Sequence, residues 1–166
     1  MRTTTIKKGT HSSFRLPKII PGTYHMYVYT ITFTESCVYD LGNEDQLDVN
    51  KLFGIGYFPS HHKNSVRFGW RYDLESQKIE ILSYYYKNGK RFFDTICFVN
   101  IGESYTYVLA INHDYHELSV HGSSTLNDRH YYKTKVDVDP QSVGYLLRPY
   151  FGGNQKAPHD INIKIK

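Results

Sequence analysis

The sequence predicts an all-β protein built as a two-sheet antiparallel β-sandwich, and three observations support this fold class. Aromatic residues make up 16% of the chain, with 16 Tyr and 9 Phe, and these residue types favour strands. Short runs that alternate apolar and polar residues recur along the chain, and Gly, Pro and Asn punctuate them. No stretch has the apolar period of an amphipathic helix. A chain of 166 residues is long enough to bury one core.

The predicted strands follow one another at short intervals. Residues 1–16 are polar and are predicted to form an extended arm, followed by a single sandwich domain at 17–166. The strand at 52–58 carries Gly54 and Gly56, and glycine inside a strand marks a bend or the close approach of another group. Asn88-Gly89 predicts a hairpin turn, and 122–130 is predicted to be a polar loop. The other strands are predicted at 24–33, 65–73, 79–86, 91–99, 105–112, 117–121, 131–138, 144–151 and 161–165.

A set of apolar side chains at every second position predicts the core. These residues share one face of their strands, while the other face carries Arg, Lys or Glu. The predicted core contains Val66, Phe68, Trp70, Ile79, Ile81, Leu109 and Ile111. Cys37 and Cys97 lie among apolar residues, as buried thiols often do, although a disulfide between them stays open.

Charge and composition exclude several functional classes. The net charge of +4 is spread along the chain, whereas nucleic-acid-binding proteins concentrate basic residues on one face or element. The nine His residues have no metal-ligand spacing, and no motif predicts a cofactor. The N-terminus has no apolar signal region and no segment is long enough for a transmembrane helix, so the expected location is cytoplasmic or virion-associated.

Two segments of the chain resemble the concanavalin A-like jelly roll, the fold of legume lectins, laminin G-type modules and several polysaccharide lyases. The first segment is 102–111 (GESYTYVLAI) with 117–122 (ELSVHG), which is similar to the paired central strands of that fold. The second is 147–154 (LRPYFGGN) with 157–165 (APHDINIKI), which is similar to its final strand pair. The resemblance covers about half of the chain and implies a jelly-roll sandwich.

Whether this chain has the catalytic residues of a lyase can be judged by comparison with the lyases of this fold that resemble the alginate-lyase type. They carry Arg-x-Glu-Leu, Gln-Ile-His and Tyr-Phe-Lys-Ala-Gly-x-Tyr strands and use a Tyr/His pair to move a proton. The comparable segments here are 67–70 (RFGW), 78–81 (KIEI) and 150–154 (YFGGN). Glu80 stands near the missing His, Gly152 replaces the Lys, and Tyr150 alone matches. The comparison therefore predicts a protein that is not an enzyme.

Two arginines on one strand face form the first candidate binding site. Arg67 and Arg71 flank Gly69, and two guanidinium groups so placed suit a carboxylate, sulfate or phosphate. The alternative is a solvated outer face, or ion pairs with Glu75 or Glu80.

The segment from Tyr150 to Asp160 forms the second candidate. Its paired glycines lie beside an aromatic ring that could stack on a sugar ring, and its side-chain amides could form hydrogen bonds with sugar hydroxyl groups. The predicted ligand-binding residues here are Tyr150, Asn154, Gln155 and His159. The alternative is a tight structural turn that His159 and Asp160 hold in place.

These observations favour a non-enzymatic recognition module that binds carbohydrate in a lectin-like way. The second hypothesis is a structural or decoration protein of a larger assembly such as a phage virion, and a polysaccharide lyase is the third. The expected partners are a glycan or other protein subunits, with neither nucleic acid nor membrane. Residues 1–16 are predicted to be mobile in an isolated monomer and, where they are ordered, to lie along another chain of a homo-oligomer or assembly, or along an exposed sheet edge.

Overall fold

The fold is described from a computed structural model that covers residues 1–12, 18–122 and 131–166. Residues 123–130 of the loop predicted at 122–130, and residues 13–16 of the predicted arm, lie outside these described residues, while Gly122 ends the strand before that loop. Within the described ranges the chain forms twelve strands and two short 3-10 turns, Glu35–Cys37 and Glu44–Leu47. In the same ranges, no helix has the length and hydropathy needed to cross a membrane.

The twelve strands are β1 (Arg2–Ile6), β2 (Ile19–Pro21), β3 (His25–Phe33), β4 (Asn50–Tyr57), β5 (Ser65–Asp73), β6 (Lys78–Lys87), β7 (Lys90–Val99), β8 (Ser104–Ile111), β9 (His116–Gly122), β10 (Tyr131–Val136), β11 (Val143–Leu147) and β12 (Ile161–Ile165). Ten of the twelve strands correspond in order to the predicted ones, and β1 and β2 are additional strands that the sequence analysis did not predict.

The twelve strands form two antiparallel six-stranded sheets. Sheet A has the order β1-β12-β3-β8-β9-β10, and sheet B has the order β2-β11-β4-β5-β6-β7. The last two strands of the chain are both inserted between early ones, since β12 lies between β1 and β3, and β11 lies between β2 and β4. The predicted two-sheet antiparallel sandwich is confirmed.

The core lies between the two sheets, and its composition follows from the alternation of the strands. All seven predicted core residues are buried, and Trp70 has no exposed surface. The Trp70 ring packs against Phe33, Tyr39 and Phe151, with centroid distances of 5.2, 6.1 and 6.3 Å. Cys37 and Cys97 are buried free thiols. The core therefore joins β3 and β5 to the C-terminal segment.

The first residues of the chain form part of sheet A. Strand β1 pairs with β12 along its whole length, from Arg2 opposite Ile165 to Ile6 opposite Ile161. The backbone then continues beside the C-terminal segment, where the Phe151 amide donates to the His11 carbonyl at 2.7 Å. Residues 2–6 thus lie along the edge of their own sheet. A domain boundary at residue 16 stays a prediction.

A buried histidine connects the two sheets at one end of the sandwich. His116 Nδ1 lies 3.0 Å from the Val138 carbonyl oxygen, which only accepts, so Nδ1 carries the proton. With Nδ1 protonated, the neutral His116 Nε2 is an acceptor, and the single Tyr57 hydroxyl proton is shared between it at 2.6 Å and the Gly22 carbonyl at 3.0 Å. Burial lowers the pKa of His116 to about 4, while the Val138 carbonyl opposes this shift. The imidazole is neutral in the folded protein at neutral pH.

Acidification is expected to destabilise the fold through His116. The pKa of His116 falls from 6.5 to about 4 on folding. The stabilisation by neutral His116 is therefore complete above pH 6.5 and is lost as the pH falls from 6.5 to about 4. The loss of unfolding free energy approaches about 3 kcal/mol. Urea denaturation across the window measures it. His116→Gln should flatten the pH dependence, whereas the exposed His25→Gln should not; an equal slope in both variants would contradict the assignment.

Candidate functional site

The outer face of sheet B carries a row of glycines at its centre, with longer side chains on either side. The strand register sets Gly54 opposite both Arg67 and Leu147, and Gly56 opposite Tyr145. On the other side, Arg67 lies opposite Tyr84. We call this surface the groove. Its floor consists of Gly54, Gly56 and Gly69, with Arg67 at its centre. One wall is formed by Lys51, His61, Tyr145 and Tyr150, and the opposite wall by Tyr84, Tyr86, Arg91 and Phe93.

The floor consists of glycines because the neighbouring groups leave no room for a side chain. A Cβ atom on Gly54 would overlap the Arg67 Cβ and the Val66 carbonyl oxygen. A Cβ atom on Gly56 would lie 2.8 Å from the Tyr145 ring and 2.9 Å from the His61 Cβ. The prediction that these glycines mark a close approach is confirmed.

Arg67 is a fixed cation at the centre of the groove. Its side chain is almost fully buried, and its Nη2 donates to the Arg148 carbonyl at 2.6 Å. Burial lowers the pKa of Arg67 to about 10, so the guanidinium stays charged at neutral pH. Its Nε is also buried and has no hydrogen-bond partner among the described residues. Arg67 therefore has unused capacity for an anion.

Lys51 provides a second cation from the neighbouring strand. A bulge in β4 lets Leu52 and Phe53 both pack inside, so Lys51 and Gly54 both face outward. Lys51 Nζ donates to the Gly152 carbonyl at 2.8 Å and lies 5.1 Å from the Tyr84 ring centroid. Burial, together with nearby Arg67, lowers the pKa of Lys51 to about 8.

His61 and Tyr145 form a potential proton-transfer pair at one end of the groove. His61 Nδ1 lies 3.4 Å from the Tyr145 hydroxyl, which is within the looser range of hydrogen bonds at ligand-free active sites. Burial, followed by the nearby charges of His62 and Arg67, lowers the pKa of His61 to about 4. The imidazole is therefore neutral at neutral pH and able to accept a proton. The Tyr145 hydroxyl keeps its proton because burial raises its pKa.

The opposite wall offers aromatic faces with a basic side chain beside them. The rings of Tyr84 and Phe93 stack at 6.5 Å, and Tyr84 meets Tyr86 edge-on at 6.0 Å. The Arg91 guanidinium lies 5.9 Å from the Phe93 centroid. Phe93 is 42% exposed. An exposed ring next to a cation suits a sugar that carries a negative charge.

The structure brings two of the six sequence-predicted site residues into the groove. They are Arg67 and Tyr150, whose ring lies 5.5 Å from Lys51 Nζ and stacks on His11 at 4.9 Å. Arg71 instead forms an ion pair with Glu80 at 2.5 Å and donates to the Leu47 carbonyl.

The remaining three lie in the loop after Tyr150. The backbone N–H of Asn154 donates to the Asp48 carboxylate, and the side-chain Nε2 of Gln155 donates to the Asp45 carboxylate. His159 Nε2 lies 2.8 Å from the Ser36 carbonyl oxygen. Ligand binding by all six residues stays a prediction.

Sequence analysis missed three groove residues that carry chemistry, namely Lys51, His61 and Tyr145. The signals present were the alternating glycines of β4 and the pair His61-His62 that follows Pro59. Adjacent histidines on an extended segment point to opposite sides, so this pair does not have the spacing of metal ligands, and no local pattern links His61 to Tyr145. Among the described residues, no group of three His, Cys, Asp or Glu side chains is arranged to hold a metal ion.

Three comparisons with known proteins bear on this geometry. No family model matches the chain, and no curated protein matches its sequence. A solved structure, the crystal structure of the alginate lyase from Klebsiella pneumoniae, matches with a TM-score of 0.56 and 12% identity. The alignment covers 85% of this chain and 58% of the lyase chain, so the protein spans little more than half of the lyase's length.

The comparison confirms one sequence-based prediction and contradicts another. At this identity the likeness defines the fold alone, which is the predicted concanavalin A-like jelly roll. The prediction that the protein is not an enzyme is contradicted, because a solved chain with this fold is an alginate lyase. The expected His is absent from β6 beside Glu80, but another histidine, His61 of the β4–β5 loop, lies on the same face of sheet B.

Proposed function

We propose that the protein is a polysaccharide lyase that cleaves chains containing uronic acids by β-elimination. The observation that carries the proposal is the neutral His61–Tyr145 pair in the same groove as the cations Arg67 and Lys51. Elimination next to a carboxylate requires these two kinds of group, because a base must remove a weakly acidic C–H proton while a cation offsets the charge that builds up on the carboxylate.

The step balances with residues of this chain alone. Arg67 and Lys51 bind the uronate carboxylate, which makes the adjacent C5–H more acidic. His61 Nδ1 takes the C5 proton, the C4–O bond to the next sugar breaks, and a C4=C5 double bond forms. The Tyr145 hydroxyl gives its proton to the departing oxygen. Proton transfer from His61 to Tyr145 along their 3.4 Å contact restores both groups.

The rest of the groove supports an anionic polymer as the substrate. Arg91 and Phe93 extend the basic and aromatic surface away from the His61–Tyr145 pair, across the width of β5 and β6. Further sugars of the same chain have aromatic faces to lie against and a third cation to contact. A neutral polysaccharide would provide no counter-ion for the three cations of the groove.

The test is an ultraviolet assay, because the unsaturated uronate product absorbs where the substrate does not. Mannuronate, guluronate, galacturonate and glucuronate polymers are compared with neutral dextran. We expect absorbance to grow with at least one uronate polymer and never with dextran. Binding of a uronate polymer without absorbance growth would leave a sugar-binding protein and overturn the lyase proposal.

The pH profile of kcat/KM is expected to be bell-shaped. Activity should rise as His61 loses its proton at a pKa of about 4 and fall as Lys51 loses its own at about 8. Lys51→Arg keeps its charge at high pH and should therefore extend the alkaline limb. An unchanged alkaline limb in an active Lys51→Arg variant would remove Lys51 from the mechanism.

A further inference from the structure

A second concave site lies between the sheets, away from the floor of the groove. The cavity has a volume of about 290 Å³ and is bounded by β1, β3 and β12 of sheet A and by β4 and β11 of sheet B. Its apolar walls include Tyr29 and Phe53, whose ring centroids are 4.3 Å apart, together with Leu146 and Ile165. The volume is close to the lower end of the range for ligand pockets, about 300–1,000 Å³.

The charged residues that line this cavity are all cations. Arg2, Arg148 and Lys166 line it, and no Asp or Glu side chain does so among the described residues. None of the three forms an ion pair with a described residue. Arg148 Nε is buried without a hydrogen-bond partner in the described part of the chain. The charge of Arg148 reaches the cavity wall, because it opposes the burial that raises the pKa of Tyr29.

We propose that this cavity binds a small organic anion with a flat apolar body, such as an aromatic carboxylate. The body lies against Tyr29, Phe53 and Leu146, and the carboxylate pairs with the Arg148 guanidinium in the cavity lining. Arg2 and Lys166 add to the positive potential at the site. The proposal is independent of the lyase proposal, because none of these contacts uses the His61–Tyr145 pair.

The test uses two probes of the same shape and different charge. Naphthalene-2-carboxylate and the neutral naphthalene-2-carboxamide are titrated calorimetrically into the full-length protein. We expect the carboxylate to bind about tenfold more tightly than the carboxamide, and Arg148→Gln to remove this difference. Equal affinity of both probes for the unmodified protein, or absence of binding by both, would overturn the proposal.

Strand β1 provides a matched pair of control variants. Thr4 lines the cavity, whereas Thr3 is exposed on the opposite face of the same strand. Thr4→Phe should fill the cavity and abolish binding of the carboxylate, while Thr3→Phe should leave binding unchanged. Equal binding by the two variants would mean that the probe binds elsewhere.

Discussion

Replacing His61 with alanine is expected to lower kcat/KM on the uronate polymer by about 10²–10⁴-fold, the usual contribution of a positioned acid–base group. Tyr145→Phe keeps the ring against Phe58 but removes the hydroxyl, so it should produce a loss of similar size. The double variant should lose little more than either single one, because the two groups act as one unit.

The measurement is the initial rate of ultraviolet absorbance growth at substrate concentrations below KM. His25→Ala, at an exposed position of sheet A, is the control and should retain full activity. Circular dichroism checks that each variant is folded. A folded His61→Ala protein with undiminished activity would show that another group removes the proton, and Tyr150 would then be the next base to test.

Replacing Trp70 with alanine is expected to lower the free energy of unfolding by about 3–5 kcal/mol. The indole has no exposed surface, and its removal leaves a cavity among Phe33, Tyr39 and Phe151 that the two sheets cannot close. Trp70→Phe should cost much less. It keeps an aromatic ring in place and removes an indole N–H that has no hydrogen-bond partner among the described residues.

Urea denaturation followed by circular dichroism measures these differences, because the variants lack the only Trp of the chain. Phe98→Ala is a suitable control, since Phe98 is 45% exposed on edge strand β7 and should change stability by less than about 0.5 kcal/mol. In the unmodified protein, the Trp70 emission should be blue-shifted and poorly quenched by iodide. Red-shifted, readily quenched emission would contradict its burial.

The fold could be predicted because β5 separates its two faces cleanly. Val66, Phe68 and Trp70 face the core, and Arg67 and Gly69 face outward. The same alternation on β6 and β8 placed the other core residues correctly. Asn88-Gly89 likewise fixed the β6–β7 hairpin, since few other dipeptides adopt the positive φ values that its turn requires.

The candidate site was less predictable, because it depends on strand order and on a bulge. Tyr145 reaches His61 only because β11 pairs with β4, and no local pattern records that pairing. Lys51 lay just outside the predicted strand, and the β4 bulge breaks the period of two at that point. Arg67 could be predicted as a site residue, because the alternation along β5 is enough to place its side chain on the outer face of the sheet.

The insertion of β11 and β12 between early strands has a consequence for synthesis on the ribosome. The chain emerges from its N-terminus at about 5–20 residues per second, so β1 to β4 are exposed well before β11 and β12 exist. During that interval β3 and β4 each present an unpaired edge where a neighbour is missing. Such edges pair readily with other nascent chains. Completion of both sheets therefore waits until residues 143–165 have left the ribosome, and the open edges favour association with a chaperone until then.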